Sequence, residues 1–149
     1  MSQRQFGFFY RHGLSIVSIA ILALWLFLYL ISDEQAHWGA FFGNAIADWS
    51  GLVVMVLATK HLYERGSRES KAPQPDGPWH SHLWEVLRWH SLTIFLVITG
   101  IVWIILFARS DPNSKWGQVV GNIVSEWTQI LGLVLMSKKL IEIGSKESQ

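Results

Sequence analysis

The chain has 149 residues, of which 50% are hydrophobic and 15% charged, with nine tryptophans and a formal net charge of +1. This composition is typical of integral membrane proteins rather than of soluble domains. The near-zero net charge gives no electrostatic reason to expect a nucleic-acid partner. Because the chain has no cysteine, disulfides, thiolate metal sites and thiol catalysis are excluded.

The first element in chain order is an uncharged apolar stretch over Leu14–Ile31, and a second stretch of this kind covers Leu92–Ala108. Each is about as long as a helix that crosses a ~30 Å hydrocarbon layer. We interpret the first stretch as a retained helix and not as a signal peptide. Its apolar run is too long, and no small-x-small cleavage site follows closely.

An apolar segment interrupted by polar residues follows each of these stretches, and it crosses fully only if it begins near Trp38 or Trp116. The sequence therefore predicts an all-α membrane protein with four transmembrane helices, over about residues 12–32, 39–60, 90–109 and 117–138. The connections at 33–38 and 111–116 are short, so each pair of helices is predicted to form an antiparallel hairpin.

The two predicted hairpins are copies of one unit. A shift of 78 positions aligns residues 12–70 with residues 90–148 without a gap, and 21 of the 59 positions are identical. The tail at 66–70 recurs at 144–148. Similarity at a fixed period indicates an internal duplication. We predict a first unit over 1–70, a linker with an interfacial helix over 71–88, and a second unit over 89–149.

Lysine and arginine predict the orientation of the units. Both termini and the central linker hold all of these residues except Arg109 and Lys115, which lie in or beside a hairpin loop. This bias predicts that both termini are cytoplasmic. Each unit has an even number of helices, so the two hairpins should have the same orientation and form a parallel repeat.

One polar motif recurs deep in the second helix of each unit, as Asn44-x3-Asp48 and Asn122-x3-Glu126. Each acid lies ~18 Å from the predicted cytoplasmic boundary, just past the midplane. An ionised carboxylate there must be protonated, paired or hydrated. One interpretation is a proton or cation site near a pseudo-two-fold axis, made by Asn44, Asp48, Asn122, Glu126 and Gln129. The other is structural, with the acids satisfied by Asn, by a Trp indole or by Arg109.

Small residues spaced by four form a second repeated motif: Gly39, Gly43, Ala47 and Gly51, and then Gly117, Gly121 and Ser125. This spacing lets helix backbones approach closely in lipid. It predicts a packing face, either within each hairpin or between protomers.

The histidines suggest cofactor chemistry, but their positions argue against it. His12, His61 and His90 lie at predicted helix ends, where histidine is more typical of a membrane interface than of haem ligation. His80-x-His82 offers only two metal ligands. Phosphate-binding, serine-hydrolase and zinc-helix motifs are absent from the sequence. We therefore predict a protein without cofactor or metal that is not an enzyme.

The ends of the two units carry short motifs that resemble those of a known protein family. Gly13-Leu14-Ser15 opens the first unit and Gly-Ser-Arg-Glu-Ser-Lys closes it at 66–71, while the second unit keeps Leu92 and most of the tail. This pattern resembles an uncharacterised bacterial domain-of-unknown-function family of small multi-pass membrane proteins. That family has a Glu in the second span where this chain has Leu52 and Ile130. The resemblance implies a bacterial inner-membrane protein without a known activity.

These observations favour a non-enzymatic membrane protein that acts through helix packing, as a homo-oligomer or as an accessory subunit of a larger membrane complex. The expected partners are the lipid bilayer and either the protein itself or another integral membrane protein. A small oligomeric channel or proton/cation transporter that uses Asp48 and Glu126 is the alternative. A haem-binding electron-transfer protein is a third interpretation.

Overall fold

The computed structural model describes residues 3–33, 35–70, 82–111 and 113–138, and its regular structure over these residues is entirely helical. The helices are α1 (Gln3–Ile31), α2 (His37–His61), α3 (His82–Trp89), α4 (Ser91–Arg109) and α5 (Lys115–Met136). All except α3 are long and apolar enough to cross a membrane. The prediction of four helices that are long and apolar enough to cross a membrane is therefore confirmed. Most of the predicted linker and the second copy of the tail lie outside the described residues.

The observed ends of the four long helices lie within two residues of the predicted ends, except at the start of α1. Helix α1 begins at Gln3, well before the apolar stretch, although the part that is long and apolar enough to cross a membrane is His12–Ile31. Helix α5 ends at Met136. The two short connections turn in the same way, since Asp33 accepts the N–H of Gln35 at 3.0 Å and Asp111 accepts the N–H of Asn113 at 2.9 Å. Such Asx turns break the helix and reverse the chain.

Helices α2 and α5 form the centre of the bundle. Helix α1 packs against α2, α2 against α5, and α5 against α4. In the most apolar window of α2 and of α5, 28% of residues are buried, against 11% in α1 and α4. The exposed surface of the outer helices is made of large apolar side chains, among them Val17, Leu24, Leu30, Ile98, Ile101 and Ile105. This is the surface that a bilayer would cover.

Two apolar clusters join the four long helices. The first lies towards the short connections and contains Tyr29, Ile46, Ala47, Val119, Ile123 and Trp127. The second contains Ala58, Leu92, Leu96, Ile130 and Val134. It lies where α2 and α5 end and α4 begins, which we call the linker end of the bundle. Because hydrocarbon is as apolar as these side chains, close van der Waals contact must supply their contribution in a membrane.

The small residues of the repeated motif lie in several different helix–helix contacts. A Cβ atom at Gly43 would lie 3.2 Å from the Tyr29 ring, and one at Gly121 would lie 2.9 Å from the Phe107 ring. These are equivalent contacts in the two units, between α1 and α2 and between α4 and α5. Gly51 instead approaches α5. Gly39, Ala47 and Gly117 are also buried, whereas Ser125 is exposed.

The short helix α3 follows the linker and exposes Leu83, Trp84, Val86 and Leu87. Exposed apolar and aromatic side chains on a short helix before a membrane span are typical of the membrane interface.

Candidate functional site

Four of the five residues of the predicted ion site lie along the contact between α2 and α5. The Asn122 amide donates a hydrogen bond to the Asn44 side-chain oxygen. One turn further on, Glu126 lies against Gly51, where an added Cβ would be 2.6 Å from the Glu126 Cγ. Asp48 is close enough to Glu126 for the two charges to interact. We call Asn44, Asp48, Asn122 and Glu126 the polar seam.

Gln129, the fifth predicted residue, lies one turn beyond Glu126 on α5 and is exposed. It forms no hydrogen bond with the polar seam within the described part of the chain.

The two acids lie at the middle of their helices. Asp48 is next to the central residue of α2 (His37–His61), and Glu126 is at the centre of α5 (Lys115–Met136). In a membrane crossed by these helices, both carboxyl groups would lie near the midplane.

None of the partners that the structural interpretation offered binds the acids. Over the described residues, Asp48 and Glu126 form neither a hydrogen bond nor an ion pair. The Trp127 indole donates to the Thr99 hydroxyl at 2.8 Å, and the two asparagines bind each other. Arg109 is exposed at the C-terminal end of α4, far from the middle of α5 where Glu126 lies. The carboxyl groups therefore depend on protonation, water or groups outside the described residues.

The polar seam is open on one side. Asn44 and Asp48 are exposed, and Asn122 and Glu126 are half-buried. The neighbouring polar side chains on α5 are exposed as well: Ser125, Thr128 and Gln129. The other side of the same contact is covered by the first apolar cluster. A polar group that faces hydrocarbon without a partner costs several kcal/mol, so protein or water must cover the open side.

A second polar cluster lies at the linker end, around Glu64. Glu64 lies in the non-helical segment just after the end of α2, and its side chain is nevertheless completely buried. His90 Nδ1 donates to a Glu64 carboxylate oxygen at 2.6 Å, the Thr93 N–H donates to the other at 3.3 Å, and the Lys138 ammonium forms an ion pair. Burial raises the pKa of Glu64, but the hydrogen bonds from Lys138, Thr93 and His90 outweigh it and hold the pKa below its ordinary value.

The segment that carries Glu64 is attached to the second unit. The Tyr63 N–H donates to Ser91 Oγ at 2.9 Å, and the Arg65 N–H donates to the Trp89 carbonyl at 2.8 Å. Ser67 Oγ lies 3.0 Å from Ser137 Oγ in a buried contact. The tail of the first unit therefore ties the two units together at the linker end.

Sequence reasoning did not find this cluster. Its signal was nevertheless present, because Glu64, His90 and Lys138 all have an identical residue 78 positions away in the repeat.

The histidines considered as haem or metal ligands have separate surroundings. His90 belongs to the Glu64 cluster, His12 Nδ1 accepts from Lys60 Nζ at 3.1 Å, and His61 is exposed at the end of α2. His80 lies outside the described residues, and His82 is described only as the first residue of α3. The described residues contain no group of three or more His, Asp or Glu side chains that could hold a metal ion.

No protein-family model, curated protein or solved structure matches this chain. The resemblance to a bacterial membrane-protein family therefore remains a prediction. Function has to be argued from the four long apolar helices and the polar residues between them.

Proposed function

We propose that this chain is a non-enzymatic, multi-pass membrane protein that acts by assembling with further copies of itself through the polar seam. The open polar side of α2 and α5 carries the proposal, because amide and carboxyl groups face outward at the middle of apolar helices. Hydrocarbon cannot satisfy these groups, whereas a second copy of the same surface can.

The arrangement that we propose is two like-oriented hairpins related by an approximate two-fold axis along the membrane normal. The contact of Asn44 with Asn122 supports it, because these residues are equivalent in the repeat. The matching contacts of Gly43 with Tyr29 and of Gly121 with Phe107 also support it. The bias of Lys and Arg favours cytoplasmic termini, and the resemblance favours a bacterial inner membrane.

Self-assembly is favoured over docking to a different membrane protein because the seam can complement itself. Asn44, Asn122 and Gln129 carry amides that donate and accept, while Asp48 and Glu126 accept when ionised and also donate when protonated. Two copies related by a two-fold axis can therefore exchange hydrogen bonds between identical surfaces.

Cysteine crosslinking in native membranes tests the assembly, since the natural chain has no cysteine to interfere. Ser125→Cys places a thiol beside the polar seam, and Ile104→Cys places one on the exposed face of α4 as the matched control. We expect oxidation to give a disulfide-linked dimer for Ser125→Cys only. Equal yields for both variants, or no dimer for either, would contradict the proposal. A disulfide from Ser125→Cys to another protein would indicate an accessory subunit.

A second candidate function is proton or cation movement through the assembled seam. It is favoured by the interacting charges of Asp48 and Glu126, which lie near mid-membrane without an ion pair in the described contacts. Four helices leave little room for a pore, so several copies would have to surround the path.

The flux of protons or of cations into vesicles that contain the purified protein tests this candidate. The Asp48→Asn, Glu126→Gln double variant keeps the side-chain shapes, and Asp33→Asn in the exposed connection is the control. We expect flux in the natural protein and in Asp33→Asn, and its loss in the double variant. Equal flux in all three, or none in any, would leave assembly as the proposed function.

A further inference from the structure

An apolar groove lies between α4 and α5 on the outer surface of the second unit. Its lining includes Gly100, Val97 and Ile101 of α4 and Val124 and Leu131 of α5. Val97 and Ile101 are exposed, and both helices are long and apolar enough to cross a membrane. In a membrane, the groove would therefore open towards the acyl chains of the lipids.

The polar side chains in the lining already have partners. The Trp127 indole donates to the Thr99 hydroxyl at 2.8 Å, and the Thr128 hydroxyl donates to the Ser125 carbonyl at 2.7 Å. Because these donors are satisfied within the protein, a ligand of the groove gains apolar contact and needs no polar group of its own. A hydrocarbon chain meets this requirement.

The groove depends on the absence of a side chain at Gly100. The equivalent residue in the first unit is Leu22, whose side chain packs against the first apolar cluster. A Cβ atom at Gly100 would lie 3.5 Å from the Trp127 ring, which is an ordinary van der Waals contact. A larger side chain would therefore fit at this position and occupy part of the groove.

The buried Glu64 lies at the linker end of this groove. It accepts the Thr93 N–H and pairs with Lys138. Thr93 precedes Gly100 by seven residues on α4, and Lys138 follows Leu131 by seven residues at the end of α5. Seven residues are two helical turns, so both partners of Glu64 continue the faces that line the groove. Glu64 therefore bridges the two helices ~10 Å from the groove along their axes.

Two exposed arginines follow Glu64 in the chain. The Arg65 guanidinium lies 5.6 Å from the centre of the Trp89 ring, which holds it beside the start of α4, and Arg68 follows the turn at Gly66. Within the described part of the chain, neither arginine forms an ion pair. The Glu64 carboxylate does not neutralise them, because Lys138 already binds it. Exposed guanidinium groups bind phosphate through paired hydrogen bonds.

We propose that the second unit binds an anionic phospholipid, with an acyl chain in the groove of α4 and α5 and the phosphate at Arg65 and Arg68. Two helical turns separate the groove from Glu64, so the headgroup meets the arginines while the chain lies among apolar side chains. A zwitterionic headgroup binds less well, because its own cation is repelled by the two guanidinium groups. The proposal requires that the helices cross a membrane, but it is independent of assembly through the polar seam.

Native mass spectrometry of the protein released from nanodiscs tests the headgroup site. The nanodiscs contain equal amounts of phosphatidylglycerol and phosphatidylcholine. We expect the lipid that stays bound to the natural protein to be enriched in phosphatidylglycerol by about threefold or more. Arg68→Gln, which removes a side chain without a hydrogen bond or ion pair in the described residues, should lower this enrichment by about twofold.

Arg109→Gln is the matched control for the headgroup site, because it removes an exposed guanidinium at the other end of α4. It should keep the enrichment of the natural protein. The absence of enrichment in the natural protein would overturn the proposal, and so would an equal decrease in Arg68→Gln and Arg109→Gln.

Gly100→Leu tests the groove, because it introduces the side chain that the first unit carries at the equivalent position. We expect this variant to retain about half as much phosphatidylglycerol as the natural protein, or less. Ala23→Leu, which adds the same bulk to the exposed surface of α1, is the control and should retain as much as the natural protein. Unchanged retention in Gly100→Leu, or an equal loss in both variants, would contradict binding in the groove. The same spectra count the copies of the chain, so a loss of lipid and a loss of assembly are measured separately.

Discussion

Asn44 and Asn122, which occupy the same position in the two copies of the repeat, bind each other across the contact of α2 with α5. In the two-fold arrangement that we propose for the hairpins, a residue meets its own equivalent only close to the axis. The acids that follow one turn later are therefore brought to the same contact by the same geometry. This places the two most costly side chains of the membrane segment next to each other and next to the open side of the seam.

The hydrogen bond between the two asparagines is expected to contribute measurably to stability. Asn44→Leu or Asn122→Leu leaves one amide without its partner, and each should lower the free energy of unfolding by roughly 0.5–2 kcal/mol. The double variant should lose less than the sum of the two, because neither amide then remains. A double-mutant cycle of unfolding in detergent micelles measures this coupling. Gln118→Leu, on the exposed surface of α5, is the control. Strictly additive losses would show that the bond contributes nothing.

Gly117→Ala is expected to be strongly destabilising. A Cβ atom there would lie 1.9 Å from the Asp111 carbonyl oxygen and 2.8 Å from the Ser114 Oγ that caps α5. Because the first clash is with backbone, the turn must open, and the loss should be about 1–3 kcal/mol. Gly13→Ala is the control, since no atom lies within 4 Å of the added Cβ. That variant should be stabilised by about 0.5–1 kcal/mol through helix propensity. Equal midpoints of thermal unfolding for both would refute the steric argument.

Tyr29 makes a contact between the two units that its equivalent residue in the repeat cannot make. Its hydroxyl donates to the Lys115 carbonyl at 2.5 Å, and the side chain is 1% exposed. The equivalent residue is Phe107, which has no hydroxyl. Tyr29→Phe should lower the free energy of unfolding by about 0.5–1.5 kcal/mol. Phe107→Tyr adds a hydroxyl to a side chain that is 40% exposed and should change little. An unchanged free energy of unfolding in Tyr29→Phe would show that packing, and not the hydrogen bond, stabilises this contact.

The long helices could be predicted because a long apolar run without charged residues is typical of a membrane-spanning helix. Leu14–Ile31 and Leu92–Ala108 are both helical, and the i, i+4 spacing correctly places Asn44 with Asp48 on one face. The start of α1 at Gln3 was not predicted, because the prediction followed the uncharged run, which begins only after Arg11 and His12.

The open side of the seam and the burial of Glu64 depend on contacts that no local pattern contains. The pairing of Asn44 with Asn122 needs the relative register of α2 and α5, which the close approach of Gly51 to Glu126 helps to set. Glu64 lies in a polar tail that reads as a solvated loop. It is buried only because His90 and Lys138 come from the other unit to bind it.

Acidification is expected to weaken the fold through Glu64. Because hydrogen bonds from Lys138, Thr93 and His90 outweigh burial, the pKa of Glu64 in the folded protein is below that of an unfolded glutamate. Its stabilisation is therefore fully present above the unfolded pKa and is lost as pH falls through the folded pKa.

Glu64→Gln should be less stable at neutral pH and should depend less on pH in the acid range. The exposed Glu85→Gln is the control and should keep the slope of the natural protein. Unfolding free energies measured across the acid range provide the comparison, and parallel curves for Glu64→Gln and the natural protein would contradict the assignment. Lys138→Met tests the cause, because it removes a hydrogen bond and a positive charge that hold the pKa of Glu64 down. The acid loss of stability should then be smaller and should be complete at a higher pH than in the natural protein.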